Sequence, residues 1–379
     1  MNSPLSRVLV ISPAGRVYDH DNVQWYDFPS ERIANEYFNI GDMIVYDSTL
    51  KILNYSEICS MKIRDTLPED IEFYRTFDYI IVRASNFIHN HMNWERAIEV
   101  LEKVQLPVYA LGVGGQAASR QDYALTGDNL RFWQIVSERS RAVGVRGSFT
   151  AELLYSNGIK NVDIVGCPSL FRARKRDLQI ASPTNIEKVA FSVRREVGGD
   201  YSSNPREYLR IQRELMLNID AVFDTTITTH GEVEEKAFYF KNEAAMERAS
   251  QLFLAEGWWT AETAARMEKL YREKMFFFLR VEDYDAFIKK QDFAFGYRVH
   301  GVLPALANGV PGVLVKYDSR STELADALSV PSLIIKDKLP SDIGKLLREV
   351  SFEDFNKTFA LRYDRMKLLM EHNGIAHRM

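Results

Sequence analysis

Short, unbroken apolar runs recur along this chain, and each is followed by a stretch whose apolar residues fall at helical spacing. RVLVIS (7–12) leads through a long loop to GDMIVYDSTLKIL (41–53), YIIVRAS (79–85) to MNWERAIEVLEKV, and PVYALGVGG (107–115) to NLRFWQIVSERS. AVGVRG (142–147) precedes SFTAELLYSNG, and VDIVGCPSLF closes the series. A strand that is apolar at every position is buried on both faces. Alternating such strands with helices predicts an α/β fold built on a parallel sheet with helices on either side.

After the basic run RARKR (172–176) the pattern restarts. KVAFSV (188–193) precedes a helix near 205–218, then come AVFDTTITTHG and a long helical region over about 233–275. DFAFGYR, an apolar helix, PGVLVKY and SLIIKD follow. A chain of 379 residues exceeds one ordinary core, which predicts two domains. The boundaries expected are 1–175 and 176–350, both Rossmann-like with parallel sheets that face each other. The amphipathic segment 351–379 is expected to form a helix, crossing back to the first domain.

Bulk properties exclude several classes. Net charge is −4 with both signs interspersed, which argues against a dedicated nucleic-acid binder. RARKR reads as a solvated linker, with a phosphate or membrane-surface contact as the weaker alternative. Cys59 and Cys167 cannot form a disulfide framework, which points to a reducing compartment. The N-terminal apolar run reads as a first strand and not a signal peptide. No apolar segment is long enough to span a bilayer, so a cytoplasmic location is expected, with peripheral contact at the membrane face left open.

In open parallel sheets, ligands bind beyond the carboxyl ends of the strands. Two facing sheets therefore put an active site in the interdomain cleft. The strand ends carry Asn39, Gly41 and Asp42 (FNIGD), then Asn86 and His89, then Gly112, Gly114, Gly115 and Gln116. Arg146 follows, with Ser148 and Thr150 set to cap the next helix. The second half supplies Arg194, Arg195, His230, Gly231, then Arg298, His300 and Gly301, and finally Asp318, Ser319 and Arg320. So many arginines at strand ends point to a small anionic ligand bearing carboxylate, phosphate or both. Helix starts after Arg146, Gly301 and Arg320 are expected to add backbone donors.

Plainer readings stand beside these. G-x-G-G is common in tight turns, and Asp42 also reads as a helix-start residue. His89 and His91 have no third ligand at useful spacing, so a loop surface is favoured over a metal site. Trp94, Trp133, Trp258 and Trp259 can stack on a sugar, although helix packing is the more ordinary role.

Taken in order, N-x-G-D (39–42), LGVGGQ (111–116), VR with Thr150 four residues after Arg146, GCP (166–168), RVHG…AL-x-x-GVP (298–311) and YDSRSTELADAL (317–328) resemble the polysaccharide pyruvyltransferase family. The match is weakest over 200–290. The resemblance implies a GT-B-like fold and transfer of a ketal-linked pyruvyl group from phosphoenolpyruvate. The acceptor would be a sugar of a polysaccharide, oligosaccharide or lipid-linked precursor, with phosphate released. Phosphoenolpyruvate is then a co-substrate, with no further cofactor and no metal. The N-terminal domain would face the acceptor, with Arg146 reaching the donor held by the C-terminal domain. His300 would be the general acid, suited by a pKa near neutrality, with Arg298 and Arg146 on the donor. Substrate contacts are expected from Asn39, Gly41, Asp42, Asn86, Gly114, Gln116, Arg194, Gly301, Asp318 and Arg320. One rival is a GT-B-type glycosyltransferase using a nucleotide sugar, with a carboxylate near Glu323 on the ribose. Another is a non-catalytic sugar-binding relative.

Overall fold

The computed structural model describes residues 5–379 except 64, 116–123, 196–203 and 336–338. Gln116 lies outside the described residues. Two parallel sheets organise the chain. The first has four strands in the order Tyr55–Ser60, Ser6–Ile11, Tyr79–Val82, Val108–Ala110. A parallel pair, Val143–Val145 with Val162–Ile164, joins it through a bridge between Val113 and Val145. The second has six, in the order Met275–Phe276, Asp224–Thr228, Lys188–Ser192, Phe293–Gly296, Gly312–Val315, Ser332–Leu333. The fold is therefore the expected α/β arrangement with two parallel sheets.

The strand residues divide as a two-residue period requires. Val8 and Val10 enter one core together with Tyr79 and Ile81, while Leu9 and Ile11 enter another with Ile80 and Val82. The first of these cores runs without a break into the second half, through Phe191, Phe295 and Val313 to Met366. Between them lies the helix Ile40–Ile52, buried almost all round. Its buried polar residues are paired, Asp47 with Arg172 and the Ser48 and Thr49 hydroxyls with carbonyls one turn back, and its N-terminus points at the candidate site.

The long helical region divides into Val233–Tyr239, Glu243–Ala255 and Ala264–Lys274. The breaks fall where Lys241 and Gly257 take left-handed backbone, at φ 54° and 73°. The last helix, Glu353–Asn373, packs Phe359 and Tyr363 on Phe171, with ring centroids 5.9 and 6.0 Å apart. Asn373 accepts from the Arg141 and Ala142 N–H groups at 2.9 and 3.1 Å. Beyond it, Arg378 reaches Asp21 at 2.9 Å.

RARKR is not a plain solvated linker. Arg172 is buried and ion-paired with Asp47 at 2.5 Å and with Asp285. Arg176 makes a two-pronged contact with Asp364, both bonds 2.7 Å. A buried guanidinium persists only when paired, and this pairing commits Arg172 to the interior, while Arg176 stays at the surface. The four tryptophans Trp94, Trp133, Trp258 and Trp259 are all buried, so packing is their role.

Candidate active site

Residues from both halves close around one cavity of about 90 Å³. Asn39, Asp42, Asn86, Arg146, Arg194, Arg298, His300, Asp318 and Arg320, all singled out in the sequence, line it. Gly41, Gly114 and Gly301 stand behind the lining and act by being small.

Each N-terminal residue has a local cause. Asn39 caps the central helix, its Oδ1 accepting from the Gly41 N–H at 3.0 Å. Asp42 follows in the first turn, where Ser85 donates to it at 3.2 Å and Arg83 lies 3.4 Å away. The Arg146 N–H donates to the Val113 carbonyl at 2.8 Å, which ties the end of its strand to the next. Its guanidinium lies across Gly114, where a β-carbon would come within 2.9 Å of Cζ and Nη1. Asn86 accepts from Nη1.

Arg298 caps the helix Val299–Ala307. The helix therefore starts before His300 and not after Gly301, and His300 stands in its first turn. The Gly301 N–H is already given to the Arg298 carbonyl at 2.9 Å, and Gly301 has no side chain because Ser192 would meet a β-carbon at 2.6 Å. Arg298 donates through Nε to the Val193 carbonyl at 3.0 Å and lies against the Glu232 carboxylate. Burial, and then Arg194, push the Arg298 guanidinium down to about 10, so it stays charged at neutral pH. The next helix, Ser319–Leu328, is capped by Asp318 and not by a residue after Arg320. Arg320 folds back onto that cap, with Nε and Nη2 at 2.8 and 2.7 Å from Oδ2. Although burial raises the Asp318 carboxyl, Arg320 and the Ser321 N–H outweigh it and hold it below its ordinary value.

Two sequence expectations are corrected here. Ser148 and Thr150 do not cap their helix, whose N-cap is Gly147. Instead the buried carboxylate of Glu323 takes that place from the opposite half, accepting from the Thr150 N–H at 2.6 Å and its hydroxyl at 3.0 Å. Gly147 makes room for it: a β-carbon there would lie 2.3 Å from Glu323 Cγ. The Thr150 N–H at that helix start is thus taken by protein, and Glu323 is not available to a ribose. Arg195 is also turned aside, its buried guanidinium paired with Glu234, Glu235 and Glu256 at 2.6–2.9 Å, of which Glu235 is buried.

His300 is half-buried, with Nε2 3.8 Å from the Cys167 sulfur. Burial, then the nearby Arg146, push its imidazole down to about 3, while Asp42 acts the other way. The expected near-neutral acid is therefore a neutral imidazole in the free protein. A second histidine, His230, lines the same cavity. It was visible as a strand-end residue but carried no motif of its own. Arg83, which steadies Asp42, gave no signal beyond a charge at the end of an apolar strand. Among the described residues no group of three His, Cys, Asp or Glu could hold a metal ion, and the His89 and His91 rings lie 5.8 Å apart, tilted by 42°, on a loop. No described helix is long and apolar enough to cross a membrane.

Residues 39–319 match the model of one protein family, polysaccharide pyruvyl transferase. The chain belongs to that family. The matched span includes every cavity residue named above except Arg320, which directly follows it. Membership in the pyruvyl transferase family makes the protein a transferase directed at glycans. No curated protein matches the chain. Among solved structures it is similar to a glycosyltransferase from Rickettsia africae (TM-score 0.46, 10% identity, 97% of this chain and 98% of that one). It is also similar to the UDP-N-acetylglucosamine 2-epimerase of Neisseria meningitidis (TM-score 0.45, 11% identity, 97% and 99% covered). Likeness at this level carries no argument about substrate.

Proposed function

We propose that the protein transfers a 1-carboxyethylidene group from phosphoenolpyruvate to two hydroxyls of a sugar, releasing phosphate. The observation that carries this reading is the convergence of Arg146, Arg298 and His300 on one small cavity. Phosphoenolpyruvate bears a carboxylate and a phosphate on a three-carbon enol. Its recognition calls for several fixed cations in a confined space, with planar guanidinium groups suited to both anions. A volume of about 90 Å³ lies below the roughly 300–1,000 Å³ of sites for larger ligands, which favours a compact donor. The nucleotide-sugar alternative loses support because Glu323 is committed to Thr150.

Arg146 and Arg298 hold the two anionic groups, with Arg194 and Arg320 beside them. His300 is neutral in the free protein because burial and Arg146 disfavour its charge. An incoming trianionic donor opposes Arg146 and adds to Asp42, so the imidazole takes up a proton as the donor binds. That proton goes to the methylene carbon, making C2 electrophilic to a sugar hydroxyl. A second hydroxyl then displaces phosphate, and the acceptor is a glycan or a lipid-linked precursor.

The test is incubation with phosphoenolpyruvate and a panel of glycosides, scored by mass for a pyruvyl ketal and by phosphate release. Release of nucleotide from a sugar nucleotide, with phosphoenolpyruvate left intact, would overturn the reading.

A further inference from the structure

We propose that His230 is a second proton-transfer residue of this site, accepting the proton from the sugar hydroxyl that attacks C2. The proposal rests on the pyruvyl-transfer reading and adds to it a base for the acceptor.

The geometry is specific. His230 lines the cavity, is 2% exposed, and its Nε2 has no hydrogen-bond partner among the described groups. An unpartnered buried ring nitrogen is costly and calls for an explanation. Its Nδ1 and that of His300 lie 3.0 and 3.1 Å from a single point, where a β-carbon on Gly41 would sit. The two imidazoles are thus neighbours above the start of the central helix. The backbone fixes His230 firmly. Its N–H donates to Glu232 at 2.9 Å and its carbonyl accepts from Ile40 at 3.1 Å. Gly231, at φ 116°, packs so closely on the Phe38 carbonyl that a β-carbon would fall 1.8 Å from the oxygen.

The surroundings of the two rings differ. Asp42 faces His300 and favours its protonation. Around His230 stand Arg298, His300 and Arg194; the Glu232 carboxylate is occupied by Arg298 and by the His230 backbone. Burial first, and then the Arg298 guanidinium, hold His230 well below its ordinary pKa. Asp42 makes His300 the ring that gains a proton when an anion arrives, and His230, which has no such carboxylate beside its ring among the described residues, is left as the base.

The reaction needs both. The His300 imidazolium gives its proton to the methylene carbon, and the first hydroxyl adds to C2 as its proton passes to His230. His230 then returns that proton to the departing phosphate oxygen as the C2–O bond to phosphorus breaks. The second hydroxyl closes the ketal and its proton restores His300. Two hydroxyl protons are lost; one ends in the methyl group and one on phosphate, and both rings return to their starting states.

The test uses the full chain carrying ¹⁵N-histidine, titrated with phosphoenolpyruvate, with His230→Gln and His300→Gln assigning the signals. The expected result is an imidazolium signature at His300 and a neutral ring at His230 in the donor complex. On any acceptor that supports wild-type turnover, His230→Gln should lower ketal formation about 100-fold with donor affinity within about twofold. A charged His230 in the donor complex, or near-normal turnover in His230→Gln, would overturn the proposal. Failure of the wild-type protein to bind phosphoenolpyruvate would instead sink the pyruvyl-transfer reading beneath it.

Discussion

Glu323 and Thr150 join the two halves of the chain through a buried carboxylate that accepts both the backbone N–H and the hydroxyl of one threonine, at 2.6 and 3.0 Å. The same hydroxyl accepts from the Gly115 N–H at 2.8 Å, so three segments meet at one side chain.

Thr150→Val keeps the shape and removes the hydroxyl. Stability should fall by about 1–3 kcal/mol, the usual cost of leaving buried polar partners unsatisfied. Glu323→Ala should cost at least as much, and the double variant should be less destabilised than the sum, because the residues are in contact. Chemical denaturation of the four proteins checks this, and strict additivity would contradict the clasp.

Gly114→Ala puts a β-carbon 2.9 Å from the Arg146 guanidinium. A flexible side-chain end can move aside, so the melting temperature should change little. Displacing the guanidinium should weaken phosphoenolpyruvate binding about tenfold, or ~1.4 kcal/mol, measured by calorimetry. Unchanged affinity would show that Arg146 does not touch the donor.

His300→Gln should bind the donor but turn over about 100-fold more slowly. In the wild-type protein, donor binding should take up close to one proton near neutral pH, detected by calorimetry in buffers of different ionisation enthalpy. The variant should lose that uptake. Equal uptake in both would assign the proton elsewhere.

Acid should destabilise the free protein through the same histidines. His300 falls from an ordinary 6.5 to about 3 on folding, and His230 is also lowered. Between those values the unfolded chain binds protons that the folded one does not, so stability rises with pH across that interval. It is complete above about pH 6.5 and is lost progressively as pH falls toward 3. Melting temperature should thus drop from pH 7.5 to pH 5, and less steeply in His300→Gln. A parallel drop in both proteins would deny His300 its share.

Much of the fold was legible because parallel strands buried on both faces need continuous apolar runs, and RVLVIS, YIIV and GVLV are such runs. The Arg298–His300 pair was legible because it opens a helix at a strand end, although the start of that helix was placed three residues too late. What sequence could not convey were partners distant along the chain. Arg194 and Arg195 are adjacent and chemically identical in the text, yet one lines the cavity and the other is held by Glu234, Glu235 and Glu256. Glu323 entered only as the neighbourhood of a ribose-contacting carboxylate in the rival reading, because nothing near it in sequence announces Thr150. His230 stood only as one strand-end residue among several, because its importance lies in meeting Gly41, almost two hundred positions away.

The last helix packs back on Phe171, and Asn373 holds residues 141–142, so the end of the chain is fastened to its first half by non-covalent contacts alone. Severing the chain ahead of residue 353 should turn the last helix into a separable piece, held by its packing on Phe171 and its hydrogen bonds to residues 141–142.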